Sequence, residues 1–224
     1  MKTEIPFTNS HSHLPLPKGV LGIRSFTQKD VIQKEDNQYI SFGLHPWYIK
    51  NNKIDQDILK VEELLQSNQL LAVGECGLDK LCKTNFISQQ VIFGNQIRLA
   101  VKYSKPLIIH SVRSNDIILQ AYDKYLPKQA WIMHGFNGGR QEIKAFSNRN
   151  FYFSLGGLLL NDTARIRKTI HEIPLDRLLL ETDDTHLSIE KIYTETSILL
   201  NISINVLKKQ IFDNFVACFS IDVD

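Results

Sequence analysis

Cysteine is scarce in this sequence. Three cysteines occur among 224 residues, at Cys76, Cys82 and Cys218. An odd number without paired short spacings argues against a disulfide framework and is typical of proteins from a reducing compartment. The first residues also lack the apolar segment of a secretory signal peptide. We therefore expect a cytoplasmic protein.

Long apolar runs and an excess of one charge are missing as well. No stretch approaches the ~18 uninterrupted apolar residues of a membrane-spanning helix. Lys and Arg number 26 against 24 Asp and Glu, which gives a formal net charge of +2. This balance does not support a basic coat for nucleic acid, but it is compatible with a local basic patch. We expect no membrane partner and no obligatory protein partner.

Short β-branched runs alternate with longer amphipathic stretches along the chain. No Gly/Ser linker, low-complexity tract or charge block interrupts the pattern, so we expect one domain over residues 1–224. Several of the short runs are apolar on both faces, as are strands of a covered parallel sheet. The eight candidate strands are 5–9, 19–25, 39–44, 70–75, 106–110, 130–134, 151–155 and 177–182.

Helical periodicity falls between the later strands and at the end of the chain. The four helical stretches are 55–68, 85–104, 189–202 and 203–219. Ser203 is placed to cap the last of them. The alternation predicts an α/β fold, a (β/α)8 TIM barrel with two C-terminal helices; an open doubly wound sheet is the alternative. Residues 11–19 and 45–54 read as loop, so the barrel is expected to be somewhat trimmed.

Metal-ligand residue types end five of the candidate strands. Active sites of α/β barrels lie at the carboxyl ends of the strands, and His, Glu and Asp are ligands of divalent ions. Each residue alone has an ordinary interpretation: a solvated loop histidine, a buried ion pair, a hydrogen-bonded core histidine or a helix cap. Their coincidence at strand ends, in a chain with seven histidines, predicts a metal site. The six residues are His11, His13, Glu75, His110, His134 and Asp183.

Seven motifs carry a resemblance to a known family. They are NSHSHL, GLHPW, VGECGLDK, QQVIFGNQIRLA, KPLIIHSVRS, IMHGFNGG and LLLETDD, in this order over nearly the whole chain. The sequence resembles the TatD family of metal-dependent hydrolases, within the amidohydrolase-like barrels. The resemblance implies a (β/α)8 barrel with a binuclear metal centre of Zn²⁺, Mn²⁺ or Mg²⁺. It also implies hydrolysis of phosphodiester bonds, so we expect DNA or another phosphoester as substrate.

The resemblance also implies how the ligands are shared between two ions. One ion is expected at His11, His13 and Asp183. Glu75 would bridge to a second ion, which His110 and His134 would complete. A carboxylate has two oxygens and can bridge ions at the ~3.5–4 Å spacing of two-metal sites. The expected catalytic residues are Glu75 and Asp183, of which Asp183 would orient a metal-activated water and accept its proton.

Two residues are candidates for contact with substrate. Arg113, three residues after His110, could hold a phosphate in a bidentate manner, or it could be an ordinary surface arginine at a helix start. His45 ends the third candidate strand and could face the substrate. The alternative is a loop histidine packed against Pro46 and Trp47.

The sequence departs from the family pattern at three places. Asn9 stands where the family usually has Asp, and Arg113 follows the fifth-strand histidine by three residues where the family has two. The segment after Asp183 enters a helix almost at once, where the family has a long loop beside the substrate. These departures keep two alternatives to a DNase open: an amidohydrolase-like enzyme for a small ester, amide or lactone, and a non-catalytic metal-binding barrel.

Overall fold

A computed structural model of the protein describes residues 5–32 and 39–222. Eight strands and seven α-helices lie in these two ranges. The strands are β1 (Phe7–Ser12), β2 (Val20–Thr27), β3 (Tyr39–Gly43), β4 (Ala72–Asp79), β5 (Leu107–Val112), β6 (Trp131–Met133), β7 (Phe151–Leu155) and β8 (Leu178–Leu180). The helices are α1 (Ile54–Gln66), α2 (Phe86–Lys102), α3 (Asn115–Tyr125), α4 (Arg140–Ser147), α5 (Arg165–Thr169), α6 (Ile189–Leu200) and α7 (Ile204–Phe219). Within the described ranges, none of these helices is both long enough and apolar enough to cross a bilayer.

The eight strands are ordered in the sheet as they are in the chain, from β1 to β8. A doubly wound sheet would place β1 inside the strand order, with a reversal beside it. The observed order has no reversal, which excludes the doubly wound alternative. The chain divides into two compact units. We call residues 1–24 and 134–224 the terminal unit, and residues 25–133 the middle unit.

The middle unit is organised around β4. All eight residues of this strand are buried, and β4 pairs in parallel with β3 on one side and with β5 on the other. The expectation that Glu75 ends this strand was wrong, because pairing continues to Asp79 opposite Val112. His110 is likewise two residues short of the end of β5. The apolar run that predicted this strand ends at Glu75. The strand continues because Gly77 and the polar Asp79 are buried as well, which an apolar pattern does not indicate.

The terminal unit contains β1, β7 and β8 and the last four helices. β7 pairs in parallel with β8, and Ser12 at the end of β1 forms an isolated parallel bridge with Asp183. The buried Tyr193 of α6 ties this helix to β1, since its hydroxyl bonds Thr8 Oγ1 at 2.9 Å. Helix α7 begins after Ser203, whose side chain accepts from the Val206 amide, so the predicted cap is confirmed.

Some elements were not apparent in the sequence. The structure adds three helices, α3, α4 and α5, which have 11, 8 and 5 residues. Residues 45–54, expected to be loop, contain two short 3₁₀ turns at Pro46–Tyr48 and Asn51–Lys53. The early helix start after Asp183 is confirmed, because α6 begins at Ile189.

Candidate metal centre

Asn9 joins β1 to the segment that follows β8. Its side-chain amide donates to Thr182 Oγ1 at 2.8 Å, and its side-chain oxygen accepts from the Thr182 amide at 3.2 Å. The Asp183 amide donates to the carbonyl of His11, and the His13 amide donates to the carbonyl of Asp183, both at 3.0 Å. The backbone of Asp183 is therefore fixed between the two histidines. An ionised aspartate in place of Asn9 could not donate to Thr182.

His11, His13 and Asp183 form the first group of ligand atoms. Nε2 of His11 lies 3.5 Å from Asp183 Oδ1, and Nε2 of His13 lies 3.8 Å from the same oxygen. Two ligand atoms bound about 2.1 Å from one tetrahedral ion lie roughly 3.4 Å apart. The three ligand atoms lie within 4.8 Å of one another. The structure thus brings together the three residues expected at one ion, at separations that an ion between them would need.

Asp183 combines an unusual backbone conformation with access to water. Its φ is +55°, in the left-handed region where Asp and Asn are found more often than other non-glycine residues. Its side chain is 37% exposed, whereas that of His11 is fully buried. Strained conformations of this kind concentrate at functional sites. Asp183 therefore combines a strained backbone conformation with a carboxylate that is open to solvent.

A buried glutamate, Glu181, orients His134 and is not among the residues predicted from the sequence. Glu181 Oε1 accepts from Nδ1 of His134 at 3.0 Å and from the Gly135 amide at 2.8 Å, while its Oε2 accepts from the Ser154 hydroxyl. With Nδ1 donating to the carboxylate, the lone pair of His134 lies on Nε2, which is the usual arrangement of a ligating histidine. The His134 ring is 4.4 Å from that of His11, centroid to centroid. Glu181 could have been found by strand alternation, since it lies two residues before Asp183.

The middle unit contains a second group around Glu75. Nδ1 of His110 lies 2.8 Å from Glu75 Oε1, and Nε2 of His45 lies 3.1 Å from the same oxygen. Glu75 is 3% exposed. The ligand atoms of these three residues also lie within 4.8 Å of one another. The expected pairing of Glu75 with His110 is present, whereas the bridging role of Glu75 and the role of His134 at a second ion stay predictions.

His45 has a defined tautomer. Its Nδ1 accepts from the Trp47 amide at 3.1 Å, so its Nε2 carries the proton and donates to Glu75. The loop is held from the other side by Gln28, which bonds both the amide and the carbonyl of His45. His45 is 4% exposed. This geometry favours a residue that positions Glu75, and contact between His45 and substrate stays a prediction.

Asp79 supports His110 from the end of β4. Its Oδ2 lies 3.3 Å from Nε2 of His110 and accepts from Nε1 of Trp47 at 2.6 Å, and its Oδ1 accepts from the Leu81 amide at 2.7 Å. Burial raises the pKa of the Asp79 carboxyl, but the hydrogen bonds from Trp47, Leu81 and His110 outweigh it and the pKa is lowered. The Asp79 backbone is held by the side chain of Gln89 at its amide and at its carbonyl. A carboxylate in this place keeps the His110 ring in one orientation.

Gly77 permits the close approach of β4 and β5 beside His110. Its φ is +146°, and a Cβ built on it would lie 2.0 Å from the carbonyl oxygen of His110. No side chain is compatible with both features. Gly77, the second glycine of the VGECGLDK motif, is therefore needed for the close approach of β4 to β5 that brings Glu75 and His110 together.

Arg113 lies in the turn between β5 and α3. Its side chain is exposed and its φ is +52°. The neighbouring Ser114 is buried and donates to the carbonyl of Leu78 at 2.8 Å, which fixes the turn. The role of Arg113 in holding a phosphate stays a prediction.

The donor sets fit divalent metal ions. Each group combines imidazole nitrogen with carboxylate oxygen, which suits Zn²⁺ or Mn²⁺. Asp79 and Glu181 provide hydrogen bonds to two of the histidines, which is the support that metal-ligating imidazoles generally have. Buried imidazoles that are oriented by carboxylates distinguish this part of the molecule from a surface cluster of acidic residues.

Comparison with known proteins places the chain in a family. The sequence model of the family described as TatD related DNase matches residues 22–220. The chain belongs to the TatD related DNase family. The family resemblance in the seven motifs is thereby confirmed.

Relatives of this chain are named as metal-dependent hydrolases. A protein of Buchnera aphidicola subsp. Baizongia pistaciae is 32% identical over 163 residues, which are 70% of this chain and 60% of the relative. Escherichia coli YjjV is 31% identical over 149 residues, 65% of this chain and 57% of YjjV. Both are named uncharacterized metal-dependent hydrolases. The matched part of the chain thus spans about three fifths of the length of these relatives.

Solved structures of TatD proteins confirm the fold. The crystal structure of E. coli YjjV, described as a TatD homologue, has a TM-score of 0.82 at 22% identity and covers 96% of this chain and 98% of that one. A TatD family hydrolase from Entamoeba histolytica has a TM-score of 0.75 at 16% identity, with the same coverage of each chain. The predicted (β/α)8 barrel with two C-terminal helices is confirmed.

Proposed function

We propose that this protein is a divalent-metal-dependent hydrolase that cleaves phosphodiester bonds in DNA. The main support is the first ligand group, in which two histidines and a solvent-accessible aspartate place three ligand atoms within 4.8 Å. The second group, with Glu75 and His110, gives independent support for another ion in the middle unit. The family description supports DNA as the substrate class.

Bound divalent ions would supply two effects, a lowering of the pKa of water toward ~7 and the neutralisation of charge on phosphate oxygens. His11, His13 and Asp183 would hold one ion, Glu75 and His110 would hold another, and His134 would be a further ligand. Asp183 is the part of the first group best placed to act on water, because 37% of its side chain is exposed. It would orient the attacking water and accept its proton. His45 and Asp79 would hold Glu75 and His110 in place during the reaction.

The test combines elemental analysis with turnover of single-stranded DNA. The purified protein is expected to contain or bind Zn²⁺, Mn²⁺ or Mg²⁺, and to release nucleotides in the presence of one of these ions. Asp183→Asn and His11→Ala are expected to lower kcat at least about 100-fold. His171→Ala is the matched control, because this histidine has a 61% exposed side chain and lies outside both groups. Its kcat is expected to equal that of the parent.

The outcomes test the metal hypothesis and the phosphodiester hypothesis separately. If no divalent ion is found and added ions do not raise the melting temperature, the metal hypothesis fails. If ions bind but no DNA is cleaved, the phosphodiester hypothesis fails. In that case a panel of small esters, amides and lactones tests the amidohydrolase-like alternative with the same variants.

A further inference from the structure

Trp47 is an exposed large aromatic residue next to the second ligand group. It is 54% exposed, whereas Trp131, the other tryptophan of the chain, is fully buried. Burying a tryptophan would remove a large apolar area from water, so leaving half of it exposed forgoes that stabilisation. Trp47 belongs to the short turn Pro46–Tyr48, directly after His45. The sequence pattern around Trp47 predicts packing against His45 and no other function.

The indole is fixed in place by the residues that support the second group. Its Nε1 donates to Asp79 Oδ2 at 2.6 Å. Its ring centroid is 5.0 Å from that of His45 and 5.6 Å from that of His110, with both rings edge-on to it. The exposed aromatic surface is therefore rigid and lies about one ring away from the candidate ion ligands. A rigid aromatic surface loses little entropy when a ligand stacks on it.

A lysine adds positive charge to the same surface. Lys29 is exposed, its Nζ donates to the Tyr48 hydroxyl at 2.8 Å, and it lies 4.2 Å from the centroid of the Tyr48 ring. The ring of Tyr48 in turn lies 6.4 Å from that of Trp47. Lysine is cationic at neutral pH, and the hydrogen bond to Tyr48 raises the pKa of Lys29 further. Aromatic rings interleaved with a cation are the features with which proteins bind single-stranded nucleic acid.

We propose that Trp47, Tyr48 and Lys29 form a nucleotide subsite, in which an unpaired base of single-stranded DNA stacks on Trp47 and Lys29 contacts a phosphate. This inference rests on the proposed function. The middle unit contains three features that a nucleotide would use. They are the ligands of an ion that would bind a phosphate, an aromatic surface for a base and a cation for the next phosphate. An apolar peptide would use the aromatic surface but would have no use for the cation or the ion ligands. Stacking tolerates any base, so the subsite selects for an unpaired strand rather than for a sequence.

Abasic substrates test the stacking. KM is measured for a short single-stranded oligonucleotide and for the same oligonucleotide with abasic sugars in its terminal positions. Stacking is worth about 1–3 kcal/mol per base, so removal of the base that stacks on Trp47 is expected to raise KM of the parent protein roughly 5-fold to 150-fold. In Trp47→Ala the two substrates are expected to differ by less than about threefold. Trp47→Phe, which keeps a ring, is expected to retain part of the difference.

A purely structural role of Trp47 predicts a different result. Loss of the hydrogen bond to Asp79 would disturb the second ligand group and impair turnover of both oligonucleotides by the same factor. An unchanged ratio of the two KM values in Trp47→Ala would therefore overturn the subsite. For the cation, the measured quantity is the slope of the logarithm of the binding constant against the logarithm of the salt concentration. Lys29→Ala is expected to make this slope shallower by about 0.7, which corresponds to the loss of one phosphate contact. Lys209→Ala, whose lysine pairs with Asp213 on α7, is the matched control and should keep the parent slope.

Tryptophan fluorescence gives a readout that does not require turnover. Because Trp131 is buried, quenching by added DNA reports on Trp47. The intact oligonucleotide is expected to quench the emission of Asp183→Asn, and the abasic one is not. If the intact DNA is cleaved by the parent but quenching is absent, the subsite fails and the proposed function stands. If DNA is neither bound nor cleaved, both fail.

Discussion

Glu181→Gln tests whether the buried glutamate tunes the metal site through His134. The carboxylate accepts three hydrogen bonds, from His134, Gly135 and Ser154, and is fully buried. Glutamine keeps the shape and one acceptor oxygen, but it replaces the charge-assisted bond to His134 with a neutral one. Hydrogen bonds to charged groups contribute about 1.5–3 kcal/mol and neutral ones about 0.5–1.5. The expected loss at His134 is therefore about 1–2 kcal/mol.

This loss is expected to appear mainly in the affinity for the ion. Removal of such supporting carboxylates typically lowers metal affinity 10-fold to 100-fold, or by about 1.4–2.7 kcal/mol, a range that overlaps the loss expected at His134. The measurement is a competition titration with a chromophoric chelator, using Zn²⁺ and Mn²⁺. Glu172→Gln is the control, because Glu172 pairs with Arg140 outside both ligand groups. Metal affinity equal to that of the parent would refute the role assigned to Glu181, and a loss of the same size in Glu172→Gln would show that the effect is not specific.

Two further predictions concern stability. Burial raises the pKa of Tyr193 to about 12, above the ordinary value near 10. The stability that the neutral phenol contributes is therefore complete below pH 10 and is lost as the pH rises toward 12, so urea denaturation of the parent should show a loss of up to about 2–3 kcal/mol over this range. An equal loss in Tyr193→Phe would contradict this prediction. Gly77→Ala is expected to destabilise the fold by about 2–4 kcal/mol, since its Cβ would meet the His110 carbonyl at 2.0 Å. Gly19→Ala is the control: φ is +85° with nothing within 4 Å of the new Cβ, so thermal melts should show only the backbone cost of about 1 kcal/mol.

Local sequence carries much of the fold. The strand at 151–155 agrees with β7 at both ends, and the two closing helices begin within one residue of their predicted starts. These elements are predictable because their apolar residues repeat with a single period and polar caps mark their ends. β4 was predicted four residues short, because a buried strand that ends in glycine and aspartate has no periodic signal in its second half.

The sequence by itself determined which residues are available as ligands. His11 and His13 lie on one face of a strand by alternation, and Glu75, His110 and Asp183 come near the ends of apolar runs. The identity of a metal ligand depends on residue type and on position in a strand, and both can be predicted from the sequence.

Only the tertiary structure decided how those ligands are held. Asn9 bonds Thr182 from 173 positions away, Glu181 reaches His134 across 47, and Trp47 reaches Asp79 across 32. Such contacts depend on which strands and loops become neighbours, and no local pattern specifies the partner. The backbone of Asp183 is likewise fixed by its hydrogen bonds to His11 and His13, at the other end of the chain. The ligand set is thus a property of the sequence, and the precision of the site is a property of the fold.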